Sequence, residues 1–432
     1  MEYSTDGGST WKNCTAELTF AAVGWTGSSD VTVQFRTKAT EEAFASAEKE
    51  LTISAVETPP SGGDGGDSYR PSPRPDPKPE PPKPPVAPDL KPGETTTETK
   101  PDGSSVKSEE KANGDKLLTE TKPDGSAVSE GKKPDGTTAK TTTNAQGKTK
   151  AEVQVTEKAV EQAQQEKKPL ELPLPPVEAE KDSEKAPEVK IQLQTSQKTV
   201  EVSIPVEKPS AGTVAVIVKP DGTEDVLPKS VVDEKGLTLE IANGATVKIV
   251  DNSKIFLDVH PVHHWAAEAV DFVASREIFN GTGKNLFKPN HFTSRGMITQ
   301  VLYNMESRPD YQVENDFGDV PDNQWYTDAI NWAAENNVIA GYTNGNFGPD
   351  DRITREQLAV ILYRYAGHPS HKSGAAQSFT DAQRIGLYAR EAMDWAEEAG
   401  IVKGTRQNLI NPKGLATRAE SAAVMSRFLK QQ

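Results

Sequence analysis

The sequence predicts a multidomain chain: small β-modules and a Pro-rich linker, followed by an α-helical region of three repeats. Three observations predict it. Aromatic residues cluster at the two ends, and between Phe44 and Phe256 only Tyr69 occurs. Prolines and then strictly periodic glycines fill the middle. In the last third a Phe-x-Asp start recurs at Phe256, Phe317 and Phe379, with Asp spacings of 61 and 62 residues.

The chain has 432 residues, with 64 Asp+Glu against 49 Lys+Arg and a net charge of −15. At ~100–200 residues per domain this length holds two to four domains. Hydrophobic residues make up 34%, too few for one large core. The acidic balance argues against nucleic acid as a partner, because a phosphate-tracking surface needs a basic stripe. Cys14 is the single cysteine, which excludes an intramolecular disulfide framework and a multi-Cys zinc site. No run of 18 apolar residues occurs, so no membrane insertion is expected.

Residues 1–55 read as a small β surface module. Val31-Thr32-Val33-Gln34-Phe35 alternates apolar and polar, and Asp6-Gly7-Gly8 marks a tight turn. Trp11, Phe20, Trp25 and Phe35 are its candidate core. Residues 56–93 are the Pro-rich linker, with 13 prolines between Pro59 and Pro92. Proline fixes φ and removes donors, so this stretch is an extended spacer; at ~3.1 Å per residue it reaches roughly 100 Å. Residues 94–155 carry Gly103, Gly114, Gly125, Gly136 and Gly147, each 11 residues after the last. A turn glycine at that period, with Thr-rich segments between, suits a β-meander or a thin solenoid of marginal stability. Residues 156–252 read as a small β-domain with a polar lead-in. Val189/Ile191/Leu193, Val200/Val202/Ile204 and Val214/Val216/Val218 each recur at every second position.

The three C-terminal units, 253–310, 311–373 and 374–432, share one order of parts. After Phe-x-Asp comes a first helix (Trp265…Phe272, Trp325…Trp332, Tyr388…Trp395). A glycine turn follows (Gly281, Gly341, Gly404), then an apolar-x-Pro element (Phe287/Pro289, Phe347/Pro349, Ile410/Pro412). A second helix begins at Ser294-Arg295, Thr354-Arg355 and Thr417-Arg418. Ile298/Val301/Leu302/Met305 and Leu358/Ile361/Leu362/Tyr365 give it an apolar face. One helical hairpin cannot bury such a face alone, so the three should close on each other.

This pattern resembles the S-layer homology domain, in its usual count of three, over roughly residues 253–430. The resemblance implies a non-covalent, non-catalytic anchor without cofactor, in a pseudo-threefold arrangement with ligand grooves between adjacent repeats. It implies secondary cell wall polysaccharide, typically pyruvylated, as the partner, with lateral S-layer contacts as a further one. The location implied is extracellular, at the cell wall of a Gram-positive-type envelope. The opening Met1-Glu2-Tyr3-Ser4 has no signal-peptide pattern, so an incomplete N-terminus is expected.

The candidate polysaccharide-binding residues are Asp258, Trp265 and Arg295 in repeat one; Asp319, Trp325 and Arg355 in repeat two; and Asp381, Tyr388 and Arg418 in repeat three. Thr354-Arg-Glu-Gln357 and Thr417-Arg-Ala-Glu420 are capping boxes. An Arg in the first turn is expected to project outward beside unpaired N–H groups, where its fork suits a carboxylate. A Trp face suits a sugar ring. The alternative is that Trp265 and Trp325 are core and the arginines pair with Asp258, Asp319 or Asp381. Trp332 and Trp395 are expected in the core. Repeat one places Gly296 where repeat two has Glu356, and Met297 where a capping Glu or Gln belongs, so the grooves should be unequal.

His260, His263, His264 and His291 lack the paired spacing of a metal site. No nucleophile elbow, phosphate loop or dinucleotide fingerprint occurs. Two classes remain: an anchored, non-catalytic surface protein, or the C-terminal anchor fragment of a larger surface enzyme such as a polysaccharide hydrolase.

Overall fold

The computed structural model describes residues 90–195, 199–234, 236–405 and 407–431 together with the backbone of four upstream strands. The chain divides into two units, Met1–Lys83 and Pro84–Gln432. In the first, β1 (Glu2–Ser4), β2 (Lys12–Asn13), β3 (Val31–Arg36) and β4 (Lys49–Ile53) pair antiparallel in the order β2-β1-β3-β4. The alternating Val31–Phe35 run is the centre of β3. The proposed turn at Asp6–Gly8, the positions Trp11, Phe20 and Trp25, and residues 56–89 of the linker lie outside the described residues.

The second unit opens with an antiparallel meander: β5 (Thr95–Thr99), β6 (Ser105–Glu110), β7 (Lys116–Thr121), β8 (Ala127–Lys132), β9 (Thr138–Thr143) and β10 (Thr149–Thr156). The period of 11 is one strand plus one turn. Each turn closes on a glycine at φ between 81° and 96°, a left-handed conformation that L side chains avoid. The residue before that glycine in the Asp-Gly turns adds its own lock: Asp102, Asp124 and Asp135 accept the N–H two residues on.

The meander does not end as a separate piece. β10 pairs in parallel with β13 (Glu188–Gln194) of the following segment. After β10 come α1 (Glu157–Glu166), capped by Thr156, then β11 (Leu170–Glu171) and β12 (Val177–Glu178). Beyond β13 lie β14 (Thr199–Ile204), β15 (Val206–Glu207), β16 (Thr213–Val218), β17 (Glu224–Val226), β18 (Val231–Val232), β19 (Leu237–Ala242) and β20 (Thr246–Asp251). One sheet runs β17-β16-β20-β13-β10-β9-β8-β7-β6-β5, and a second runs β11-β14-β19-β18. Val153, Ile191 and Ile249 of the first share one core with Val202, Leu239 and Ile241 of the second. The expected boundary at 155/156 is therefore corrected: it cuts a continuous sheet. The lead-in is not simply polar either, because Leu170, Leu172 and Leu174 are buried in that core.

The C-terminal part is helical, as the 3.6-residue periodicity predicts. Its helices are α2 (Ala267–Ser275), α3 (Arg295–Met305), α4 (Thr327–Glu335), α5 (Arg355–Tyr365), α6 (Arg390–Glu398) and α7 (Arg418–Leu429). Each pairing crosses repeats: α3 packs on α4, α5 on α6, and α7 returns to α2. A repeat's own two helices are not the packing unit. Single β-bridges between the segments that start α3, α5 and α7 link all three repeats: Ser294–Arg352, Thr354–Leu415 and Phe292–Thr417. Trp332 is buried against Tyr303 and Trp395 against Tyr363, as expected of core residues.

Repeat one also joins the β-sheets. Arg276 is wholly buried and donates to the carbonyls of Ala211, Thr213, Ser230 and Phe272. Burial pulls its pKa down to about 9, so those four carbonyls are what make the buried cation tolerable.

Candidate functional site

Each Phe-x-Asp carboxylate grips the loop of its own repeat. Asp258 accepts the N–H groups of Phe287 and Lys288 at 2.8 and 2.7 Å. Asp319 takes those of Phe347 and Gly348, and Asp381 those of Ile410 and Asn411. The aspartate thus fixes the apolar-x-Pro element, using both carboxylate oxygens on backbone donors.

The arginines act on the same peptides from the other side. Arg418 donates Nε to Phe287 O and Nη2 to Asn280 O, at 2.7 and 2.8 Å. Arg295 does the same with Phe347 and Ala340, and Arg355 with Ile410 and Lys403. Each arginine of one repeat therefore clasps the loop of the next, and repeat three clasps repeat one. Arg295 and Arg418 are buried and Arg355 is half-buried.

This corrects the expected outward projection beside free N–H groups. The first two N–H groups of α3 go to Asp351 O and Pro349 O, those of α5 to Gly414 O and Pro412 O, and those of α7 to His291 O and Pro289 O. The third is taken by the capping Ser294, Thr354 or Thr417. The capping boxes at Thr354/Gln357 and Thr417/Glu420 are present. With the helix starts saturated, each guanidinium turns sideways into the neighbouring loop. Burial lowers the pKa of all three arginines, to about 10 for Arg418, which nearby Asp258 partly offsets. Among the described residues the Nη1 atoms of Arg295 and Arg418 have no hydrogen-bond partner, whereas Arg355 Nη1 lies 3.8 Å from Glu420.

The aromatic residues at the start of the first helices are outside the core. Trp265, Trp325 and Tyr388 are 64%, 56% and 61% exposed. A groove of about 450 Å³ brings Trp325 and Asp328 together with Asn280, Gly281, Met297 and Arg418. All three repeats contribute to it. A larger hollow of about 520 Å³ lies on the meander; its lining of Ser108, Leu118, Glu130, Lys140 and Glu152 carries alternating charge and no aromatic ring.

The counterpart surface at Tyr388 is built differently. Glu356, 1% exposed, accepts from the Tyr388 hydroxyl at 2.5 Å and the Gly386 N–H at 3.0 Å, and pairs with Lys413. Burial and the Glu356 bond raise the Tyr388 pKa, so the hydroxyl stays protonated and donating. Arg295 stacks over Tyr342 close by, 4.8 Å from the ring centroid. Glu356 and Lys413 were not among the candidates; the signal for Glu356 was its contrast with Gly296 and Ala419. The histidines before α2 serve the backbone: His260 Nδ1 accepts from Val262 and His263, and His264 Nδ1 from Ala266.

Among known proteins, the sequence pattern of the S-layer homology domain matches residues 255–296, 316–359 and 378–422. An "Exoglucanase XynX" of Acetivibrio thermocellus is 30% identical over 202 residues, 46% of this chain and 18% of that protein. The "Surface-layer 125 kDa protein" of Lysinibacillus sphaericus is 28% identical over 177 residues, 40% of this chain and 15% of its own. A "Cellulosome-anchoring protein" of Acetivibrio thermocellus is 28% identical over 155 residues, 34% of each. The likeness thus spans between 15% and 34% of these relatives.

Proposed function

We propose, on the premise that this chain carries three S-layer homology domains in residues 255–422, that it anchors a surface protein non-covalently to the bacterial cell wall. The ligand in this reading is secondary cell wall polysaccharide bearing pyruvate ketals. The observation that carries it is the groove in which Trp325, an exposed ring, meets Arg418, a guanidinium with a free Nη1 edge. A ring face covers one side of a sugar and the cation meets its carboxylate. Trp265 with Arg355 is the corresponding pair between repeats three and one; Tyr388 with Arg295 stands at the equivalent place between two and three, where the buried Glu356 already holds the Tyr388 hydroxyl. Asp258, Asp319 and Asp381 contribute by holding the loops on which the arginines rest. The crossed helix pairing and the cyclic arginine clasps support a pseudo-threefold body. Lateral contacts within a surface layer are a further role for the β-rich part. No described helix is long and apolar enough to cross a membrane.

The full chain should sediment with purified cell walls and fail to sediment once the polysaccharide is stripped. Retention on stripped walls would assign binding to peptidoglycan instead. A second reading makes the chain the anchor portion of a surface enzyme. The matches to an exoglucanase and to an "Amylopullulanase" of Thermoanaerobacterium thermosulfurigenes, over 18% and 10% of those proteins, favour it. Both readings share the same anchor chemistry, and the genomic reading frame separates them.

A further inference from the structure

We infer that the Gly386 N–H, the Tyr388 hydroxyl and the Lys413 ammonium form a carboxylate receptor that Glu356 of the same chain already fills, closing the groove between repeats two and three to acidic sugars. The inference rests on the proposed function only for the identity of the excluded ligand. A carboxylate this deeply buried is costly unless its lone pairs are met by strong donors. Here one oxygen takes the phenol and the ammonium and the other takes a backbone amide. One cation and two neutral donors converging on a carboxylate at the edge of an exposed ring are what an acidic sugar would require. The ring of Tyr388 and the stem of Lys413 remain at the surface, so the receptor opens outward once Glu356 is removed.

Repeat comparison makes this a feature of one groove. At the position of Glu356, repeat one has Gly296 and repeat three Ala419. At the position of Lys413, directly after the loop proline, repeats one and two have Asn290 and Asp350. The acid and its counter-cation therefore occur together, and only here. Gly296 and Ala419 leave their grooves without a carboxylate at this position.

Sodium acetate is the probe. Thermal melts of the full chain are run with acetate against chloride at equal ionic strength, for the wild type, Glu356→Ala and Glu356→Gln. Near saturation acetate should raise the melting temperature of Glu356→Ala by ~2–4 °C, the mass-action effect of a ligand that binds only the folded state. It should leave the wild type and Glu356→Gln, whose side chains still fill the pocket, unchanged. A Glu356→Ala chain with wild-type circular dichroism and no acetate-specific rise would overturn the receptor. A count of bound pyruvylated oligosaccharides on the wild-type chain by native mass spectrometry needs no variant. Two or fewer is the expected count, and three overturns the closure. If the wild type binds none, the proposed function fails while the acetate melts still decide the receptor.

Discussion

Arg418 Nε and Phe287 O meet at 2.7 Å across 131 residues of chain, and the N–H of the same Phe287 goes to Asp258 at 2.8 Å. One residue of repeat one is thus held at its N–H by its own repeat's aspartate and at its carbonyl by the arginine of repeat three. The same three-part clip recurs at Phe347 and Ile410. It ties the last repeat to the first, which no local interaction can do.

Arg418→Ala should therefore act on stability first. It leaves Phe287 O and Asn280 O without their charged donor, a loss on the order of 2–4 kcal/mol for two charge-assisted bonds. Arg418→Lys should lose about half of that, because an ammonium reaches one carbonyl and lacks the fixed fork. Urea unfolding of the full chain, read by tryptophan fluorescence, measures both. Wall binding lost with an unshifted transition would make Arg418 a ligand contact only and refute the clip.

Gly341 tests how tightly the Phe-x-Asp segment lies on the turn. A Cβ there would stand 2.5 Å from Phe317 Cε1 and 2.8 Å from Asn346 O. The glycine is required by this close approach, since its φ is not left-handed. Gly341→Ala should cost ~1–3 kcal/mol, as overpacking does. Adding Phe317→Leu should recover ~1 kcal/mol of it, measured as the coupling in a double-mutant cycle. Zero coupling would show that the backbone of Asn346 alone sets the penalty.

Two tryptophans of repeat two should separate binding from folding. Trp325→Ala removes an exposed ring and should leave the melt within ~0.5 kcal/mol of wild type while weakening polysaccharide binding roughly tenfold or more. Trp332→Ala empties a site against Tyr303 and should destabilise by ~3–5 kcal/mol. Calorimetry with polysaccharide beside thermal melts reads both quantities. Equal binding by Trp325→Ala and wild type would remove Trp325 from the site.

What was legible in the sequence was the local and the repeated. Capping boxes at Thr354 and Thr417, glycine turns every 11 residues and the apolar faces of α3 and α5 each rest on neighbours within one turn or one hairpin. The missed relations are long-range or belong to a single residue. The pairing of α7 with α2 and of β10 with β13 joins segments that carry no mutual signature. The inward turn of the arginines is not legible locally, because the first-turn N–H groups find their partners in loop carbonyls of the next repeat. Glu356 stood out only as a departure from its own repeat, and its partners Gly386, Tyr388 and Lys413 lie 30 to 57 residues away. Sparse aromatics also understated the core upstream of residue 253, which valine, isoleucine and leucine fill.

The meander should unfold from its free edge rather than as a block. β10 is inside the shared core, with Ala151, Val153 and Val155 buried, whereas every residue of β5 is exposed. Within β6–β9 the buried side chains are Ser108, Glu110, Ser129, Ala139 and Thr141, mostly polar groups that gain little on leaving water. Successive strands thus have less to hold them as they recede from β10, and the opening free energy should fall stepwise from β10 to β5. Native-state amide exchange on the full chain reads this directly. Protection should be greatest at Val153 and Val155, intermediate in β8 and β9, and slight at Thr95–Thr99. Uniform strong protection from Thr95 to Thr156 would mean that the backbone ladder and the Asp-Gly turns suffice to make the Thr-rich strands one cooperative unit with the domain behind them.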